Sequence, residues 1–266
     1  MKHLPRAHFV DSYLRNPTNP IIVNQIGAGG SGSQMLSALY RINHALLSLG
    51  HPGLFVRLFD ADEVTDANPG RQLFAQSDMG QNKAVTLINR FNRFGGLNWK
   101  ALPFHYNRKN EHKLQEMQYA NITISCVDDP DTRFEIADML TETNDDSSHS
   151  RNRPIYWIDF GNGRDSGQMI VSTIGKVKQP TSQKYEPVAH LPFITVEFKS
   201  LLKKAKKDTG PSCSLAEALA EQDLFVNSAL VQTGSSLIWK LFSEGVLFYR
   251  GFFQNLNDLK SNPIPV

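Results

Sequence analysis

The pattern of apolar and polar positions changes character part-way along the chain. "PIIVNQI" (20–26) is an apolar run of strand length, and residues 31 to 48 carry Met35, Leu36, Leu39, Ile42, Leu46 and Leu47 at helical spacing. "LFVRLFD" (54–60) predicts a second strand ending in an acid. A polar, turn-rich stretch, "ADEVTDANPGRQLF", separates it from a second helix over "NKAVTLINRFNRF" (82–94). "NWKALPFHY" predicts a third strand and "NITISCVDD" (121–129) a fourth. A helix over "PDTRFEIADMLTE" follows, with Pro130 near its first turn. Strands alternating with helices predict an α/β fold: a Rossmann-like, mainly parallel sheet with flanking helices.

Beyond residue 143 the texture differs. "NDDSSHSRNRP" (144–154) is a polar loop, and "IYWIDFGNG" and "QMIVSTIG" are two strand-like runs. Residues 175 to 212 place three prolines ahead of "LLKKAKKDTGPS", which predicts a long excursion over the surface. A helical C-terminal region is expected from about Ser214, and no internal repeat is visible. The expected organisation is a nucleotide-binding part, 1–143, and a strand and helix extension, 144–266, belonging to the same domain.

Composition narrows the setting. A chain of 266 residues can bury roughly three quarters of its unfolded surface, so neither a metal nor a disulfide is needed for stability. The 28 basic and 26 acidic residues leave a net charge of +2, too even for a nucleic-acid binder acting through bulk charge. Two cysteines, Cys126 and Cys213, give no disulfide framework and point to a reducing cytoplasm. "MKHLPRAHFVDSYLRNP" lacks an apolar core of signal-peptide length. The most apolar late segment, "SSLIWKLFSEGVLFY", is broken by Lys240 and Glu244, so no membrane span is expected.

The candidate chemistry begins in "NQIGAGGSGSQMLSAL" (24–39). Gly27, Gly29 and Gly32 fit G-x-G-x-x-G between a strand and a helix, with Gly30 beside them. The first allows a tight turn, the second lets a phosphate approach the backbone, and the third permits close helix–strand packing. The helix N-terminus adds a partial positive charge. Asp60, at the end of the next strand, is placed for a ribose hydroxyl. The loop alone does not separate NAD from ATP.

The residues that follow favour ATP. Asp62, Asn68, Arg71, Gln72 and Lys83 come after Asp60, and Asp128, Asp129 and Arg133 come after the fourth strand. Ligands of open parallel sheets sit beyond the carboxyl ends of the strands, where Asp60 and Asp128 both fall. Arg71 and Lys83 can neutralise β- and γ-phosphates, and Asp128 can hold magnesium. Taken singly, each of these charges reads more simply as part of a solvated face.

"GAGGSGS", "DADEVTDANPGRQ", "GQNKA" and "CVDDPDTR" occur in the order and approximate spacing of the ThiF/MoeB/HesA superfamily, the adenylating enzymes that include the ubiquitin-activating enzymes, which this sequence resembles over residues 21 to about 137. "PSCSLAEALAEQDLFVN" further resembles the ThiF-family members of PRTRC plasmid-borne systems. The resemblance implies ATP-dependent adenylation of the C-terminal carboxylate of a ubiquitin-like or sulfur-carrier protein, by an enzyme acting as a homodimer. It implies that Gly27, Gly29, Gly30 and Gly32 wrap ATP and that Asp60 takes the ribose. Asn68, Arg71, Gln72 and Lys83 would surround the phosphates, and Asp128 would carry Mg2+. Asp62 and Asp129 join the nucleotide-binding set. Two other readings are a catalytically silent relative used as a binding module and an NAD-dependent oxidoreductase, which leaves Arg71, Lys83 and Asp128 without a task.

The sequence also departs from that pattern. Many members bind structural zinc through two C-x-x-C pairs, which two isolated cysteines cannot supply, so no structural zinc is expected. Pro69 and Gly70 replace a more usual leucine-containing pair. Cys126, inside "ITISCV", reads as core. Cys213 precedes an S-x-x-E capping box, Ser214 to Glu217, where a helix field stabilises a thiolate; an acceptor thiol and a structural cysteine both remain open. The lysines 203, 204, 206 and 207 read as a solvated loop or as a docking patch for an acidic partner. The aromatics of "VLFYRGFF" (246–253) read as core or a subunit contact.

Overall fold

The computed structural model describes residues 4–144, 151–204 and 222–266. In chain order the strands are β1 (Arg6–Phe9), β2 (Ile21–Ile26), β3 (Leu54–Phe59), β4 (Lys100–Leu102), β5 (Ile122–Ser125), β6 (Tyr156–Asn162), β7 (Ser166–Thr173), β8 (Glu186–Pro187), β9 (Val246–Leu247), β10 (Tyr249–Asn255) and β11 (Lys260–Pro265). Eight of them form one sheet in the order β11-β10-β7-β6-β5-β2-β3-β4. The five strands from β6 to β4 run parallel, and β7, β10 and β11 continue antiparallel. β8-β1-β9 make a separate three-stranded sheet.

The central strands are apolar because both their faces are covered. Ile21, Val23, Val56, Leu58, Ile122, Ile124 and Ile158 are all buried. One cover is the helix Gly30–Ser48, whose Met35, Leu36 and Leu39 face the core, and the helix Val226–Ser243 packs along it. The helices Lys83–Gly95 and Pro130–Glu142 complete the crossovers. From β2 the chain proceeds to β3 and β4 on one side and to β5 and β6 on the other. The order therefore reverses at β2, which opens a crevice at its carboxyl end.

Several expectations need correction. The third strand is only Lys100–Leu102, stopped by Pro103, which has no N–H to give a ladder. The fourth ends at Ser125, and Cys126–Asp129 form the turn over the glycine loop. β1 was not foreseen; its four residues are too short a run to show a period. The excursion after residue 175 is partly built into the fold, since Val177, Val188, Leu191 and Ile194 are buried and β8 pairs with β1. It ends, among described residues, in the helices Ile194–Glu197 and Lys199–Lys204. Among the described residues the C-terminal region is helical over Val226–Ser243, and the expected start near Ser214 lies outside them. Gly245, at φ +70°, stops that helix, and "VLFYRGFF" then lies in β9 and β10, with Phe252 in the core. Its aromatic and β-branched residues suit a strand, and β11, which carries Pro263 and Pro265, is the sheet edge where proline is tolerated. Among the described residues no helix is long and apolar enough to cross a membrane.

Candidate active site

The glycine loop, residues 27–32, lies at the carboxyl end of β2 between the ends of β3 and β5. The Gly27 N–H donates to Phe59 O (2.8 Å) and the Cys126 N–H to Ile26 O (2.8 Å). Gly27 has φ +96°, and a Cβ there would stand 2.5 Å from the Cys126 carbonyl oxygen, so the position demands glycine twice over. At Gly32 a Cβ would meet Gly27 O at 2.1 Å, whereas at Gly29 it would meet nothing within 4 Å. The loop is thus tight on its protein side and open where a ligand could approach its backbone. Gln25 Nε2 braces it from beneath, donating to Gly27 O (3.1 Å) and Gly32 O (2.7 Å). Sequence reasoning missed Gln25; a polar residue inside an apolar strand was the signal.

Asp60 meets the loop from the next strand. Its Oδ2 accepts from Ala28 N–H (2.6 Å) and its Oδ1 from Asp62 N–H (2.9 Å). Burial raises its pKa, the Asp62 charge adds to that, and Lys83 and the two N–H groups oppose it. An ionised carboxylate has about four acceptor positions, so capacity for ribose hydroxyls remains. Lys83, at the start of its helix, is buried, with only 11% of its side chain exposed. Its Nζ stands 3.3 Å from Asp62 Oδ2, on a side chain that is 60% exposed. Asn82 caps this helix through Val85 N–H and donates Nδ2 to Asp60 O (3.0 Å), which ties Lys83 to the Asp60 strand end.

The unusual "NPGR" forms a turn. Pro69 is its second residue, Gly70 its third at φ +89°, and Arg71 N–H closes it on Asn68 O (3.3 Å), the signature of a type II turn. Asn68 Oδ1 accepts from Thr65 N–H (2.9 Å), so Asn68 shapes the turn. The same stretch touches the glycine-loop helix where Leu73 N–H donates to Ser33 Oγ (3.2 Å). Gln72 Oε1 is buried and has no hydrogen-bond partner. Arg71 Nη2 donates to Gln222 Oε1 (2.5 Å), Asn227 Nδ2 donates to the same oxygen (3.0 Å), and Ser31 Oγ donates to Asn227 Oδ1 (2.9 Å). Gln222 and Asn227 fall within "PSCSLAEALAEQDLFVN", but nothing in that segment assigned either of them a place in the site.

On the β5 side Asp128 is exposed, with Oδ1 accepting from Asp129 N–H (3.0 Å). Asp129 is the N-cap of the helix Pro130–Glu142, its Oδ2 accepting from Thr132 N–H (3.0 Å) and Oγ1 (2.9 Å). Arg133 turns into the core, away from the phosphate cluster that its sequence position suggested. Its Nε contacts both oxygens of Asp159 (3.1 and 3.2 Å), and its other nitrogens donate to the carbonyls of Val127, Asp128 and Phe160. Ser125 Oγ donates to Asp159 Oδ1 (2.6 Å) and accepts from Trp157 Nε1 (2.8 Å). Arg133 therefore clamps the turn that presents Asp128. Cys126 packs against the core, and burial together with the Asp159 charge pushes its thiol pKa up, the opposite of an activated thiol. Lys203 is exposed at the end of its helix. Lys206, Lys207, Cys213, Ser214 and Glu217 lie outside the described residues. Among the described residues no three His, Cys, Asp or Glu side chains gather as a metal site.

A mostly parallel sheet with its glycine loop at the switch point, and charged side chains converging there, defines a Rossmann-like α/β protein. The chain belongs to the ThiF family, whose profile matches residues 21–251. No characterised protein matches the sequence itself closely enough to count as a relative. Among solved structures, PaaA is similar at 14% identity and TM-score 0.56, over 92% of this chain and 64% of its own. Escherichia coli MccB solved with ATP is similar at 16% identity and TM-score 0.56, over 96% of this chain and 65% of its own. MccB solved with AMPCPP and MccA is similar at 17% identity and TM-score 0.58, with the same coverage. This chain thus spans just under two thirds of the length of these structures, and at such identities they share its fold.

Proposed function

We propose that this protein binds ATP and uses it to adenylate a carboxylate, and that the carboxylate is the C-terminus of a ubiquitin-like or sulfur-carrier protein. One observation carries the reading: of the loop glycines 27, 29, 30 and 32, only Gly29 leaves open space, while Asp60 is hydrogen-bonded to the loop, Lys83 lies beside Asp62, and Arg71 is linked through Gln222 and Asn227 to Ser31 of the loop helix. Buried Lys83 and the Gln222-held Arg71 fit a polyanion better than the single pyrophosphate of NAD. MccB, similar in fold, has been solved with ATP and with AMPCPP and MccA. The ThiF family membership and the motif order support the protein substrate. The resemblance also implies a cytoplasmic homodimer.

In the reaction one carboxylate oxygen of the substrate attacks the α-phosphorus, the bond to the bridging oxygen breaks, and pyrophosphate leaves as the acyl-adenylate forms. Both reactants are anions, so the site must offset repulsion and stabilise charge on the leaving group. Lys83 and Arg71 supply fixed positive charge, the loop N–H groups supply donors, and Asp60 holds the ribose. Mg2+ would supply further charge neutralisation on the phosphates, and Asp128 is the residue the family resemblance gives for holding it. Magnesium is commonly held by one or two carboxylates together with phosphate oxygens, which suits a lone exposed Asp128.

Lys83→Ala and Arg71→Ala test this in ATP–pyrophosphate exchange, with a sulfur-carrier protein bearing a free C-terminal carboxylate as substrate. Each variant should lose on the order of 100- to 1,000-fold in rate. The Lys83 variant should stay within about 1 kcal/mol of wild-type stability, because its partner Asp62 is largely solvated. Undiminished exchange in either variant removes that residue from the site.

A further inference from the structure

We infer that Gln222 is a positioning residue for the triphosphate: it holds the Arg71 guanidinium toward the phosphates. This rests on the ATP reading above and adds to it two residues, Gln222 and Asn227, to which nothing in the sequence assigned a role in the site.

Gln222 gives Arg71 one fixed acceptor. Arg71 follows the Pro69–Gly70 turn in the stretch 60–82, whose only regular element is the short helical turn Gln76–Asp78. A long, flexible side chain on such a stretch loses rotamer freedom when it is fixed, and an acceptor that is itself fixed favours one orientation of it. Gln222 is fixed from the main sheet. Its Nε2 donates to Gly163 O (3.2 Å), and the next residue, Asp223, donates its N–H to Arg164 O (2.7 Å); both acceptors lie in the β6–β7 turn. Asn227, buried in the first turn of its helix, donates to the same Gln222 oxygen that Arg71 uses and accepts from Ser31. Ser31, Asn227, Gln222 and Arg71 thus form one chain of hydrogen bonds from the glycine-loop helix to the guanidinium. Its directions are consistent. Gln222 Oε1 takes two donors and Nε2 faces a carbonyl, so the reversed amide would oppose two N–H groups with a third.

Gln222 orients without neutralising. An amide oxygen is an uncharged acceptor and occupies one of the five N–H donors of an arginine. A residue meant to block the phosphates would be better served by a carboxylate, which pairs bidentately with arginine. Asn227 also presses on the loop itself: a Cβ on Gly30 would stand 2.5 Å from its Nδ2. The holder of Arg71 and the neighbour of the glycine loop are therefore parts of one assembly.

The test is calorimetric titration of the full chain with ATP plus magnesium and, separately, with AMP, for the wild type, Gln222→Met and Gln222→Glu. Methionine keeps the length of the side chain and removes the acceptor, while glutamate keeps the acceptor. Gln222→Met should weaken ATP by about tenfold, the share of one hydrogen bond to a charged group, and leave AMP within about twofold. Gln222→Glu, whose carboxylate keeps the acceptor but neutralises Arg71, should weaken ATP at least as much, and in an Arg71→Met background Gln222→Met should change nothing further. Unchanged ATP binding in Gln222→Met overturns the inference. So does tighter ATP binding, which would make Gln222 a competitor, or an equal loss of ATP and AMP, which would make it merely structural. A wild type that binds neither nucleotide would remove the ATP reading itself, and would do so before any variant is measured.

Discussion

Gly29 and Gly32 stand three residues apart in one loop, yet alanine at each should fail in a different way. A Cβ at Gly32 would lie 2.1 Å from the Gly27 carbonyl oxygen, a backbone atom that would have to retreat by nearly an ångström. Gly27 cannot yield easily, because its N–H is bonded to β3 and its own Cα side is pressed on Cys126 O. Overpacking of this kind costs up to about 3 kcal/mol, which for a chain of this size is roughly 6–12 °C in Tm. A Cβ at Gly29 meets nothing within 4 Å, and Gly29 has φ −73°, outside the left-handed region. Gly29→Ala should therefore stay within about 0.5 kcal/mol of the wild type. Its methyl would stand where a phosphate must approach the loop N–H groups, and ATP affinity should fall at least about tenfold. Thermal unfolding and ATP titration of the two variants separate these effects. Wild-type ATP affinity in Gly29→Ala, or an unshifted Tm in Gly32→Ala, would refute the division of the loop into a packed side and a ligand side.

Two further outcomes follow from buried groups. Asp159→Asn leaves Arg133 buried (3% exposed) without its ionic partner and should cost about 3–5 kcal/mol in denaturant unfolding; a loss below about 1 kcal/mol would show that Arg133 does not clamp the Asp128 turn. His8 is buried, donating Nδ1–H to Val188 O (2.7 Å) and accepting from Tyr156 OH at Nε2 (2.8 Å); burial lowers its pKa. Above the ordinary value of 6.5 it is neutral in both states. Below it the unfolded chain takes up a proton that folded His8 refuses, so stability should fall as pH drops from 6.5 toward the depressed folded value. His8→Gln should lessen that slope, and an equal slope would assign the acid sensitivity elsewhere.

Much of the fold was legible because the central strands and their crossover helices are long enough to show a period. "PIIVNQI" and "LFVRLFD" are continuous apolar runs, as strands covered on both faces must be. β1 and β8 were not legible, because four and two residues carry no period and their pairing depends on distant chain. The C-terminal strands were hidden by their resemblance to a helix continuing past Ser243; Gly245 was the mark that ends it. In the site, the glycine spacing announced which positions pack, through Gly27 and Gly32, and which stays open, through Gly29. Arg133 could not be placed from sequence, since the same charge serves a phosphate or a buried aspartate, and only the Asp159 contact decides. Gln222 and Asn227 lay inside a segment that carried the family resemblance, yet their roles could not be read there, because an amide announces nothing until its partners are known.

The central claim is that the loop at the end of β2 holds ATP. Its most direct test is calorimetric titration of the purified chain with ATP plus magnesium and, separately, with NAD, repeated with Asp128→Ala. The account predicts that ATP binds, that NAD does not, and that Asp128→Ala weakens ATP. Binding of NAD alone would contradict it in favour of an oxidoreductase, and an Asp128→Ala variant with undiminished affinity would contradict the place given to magnesium.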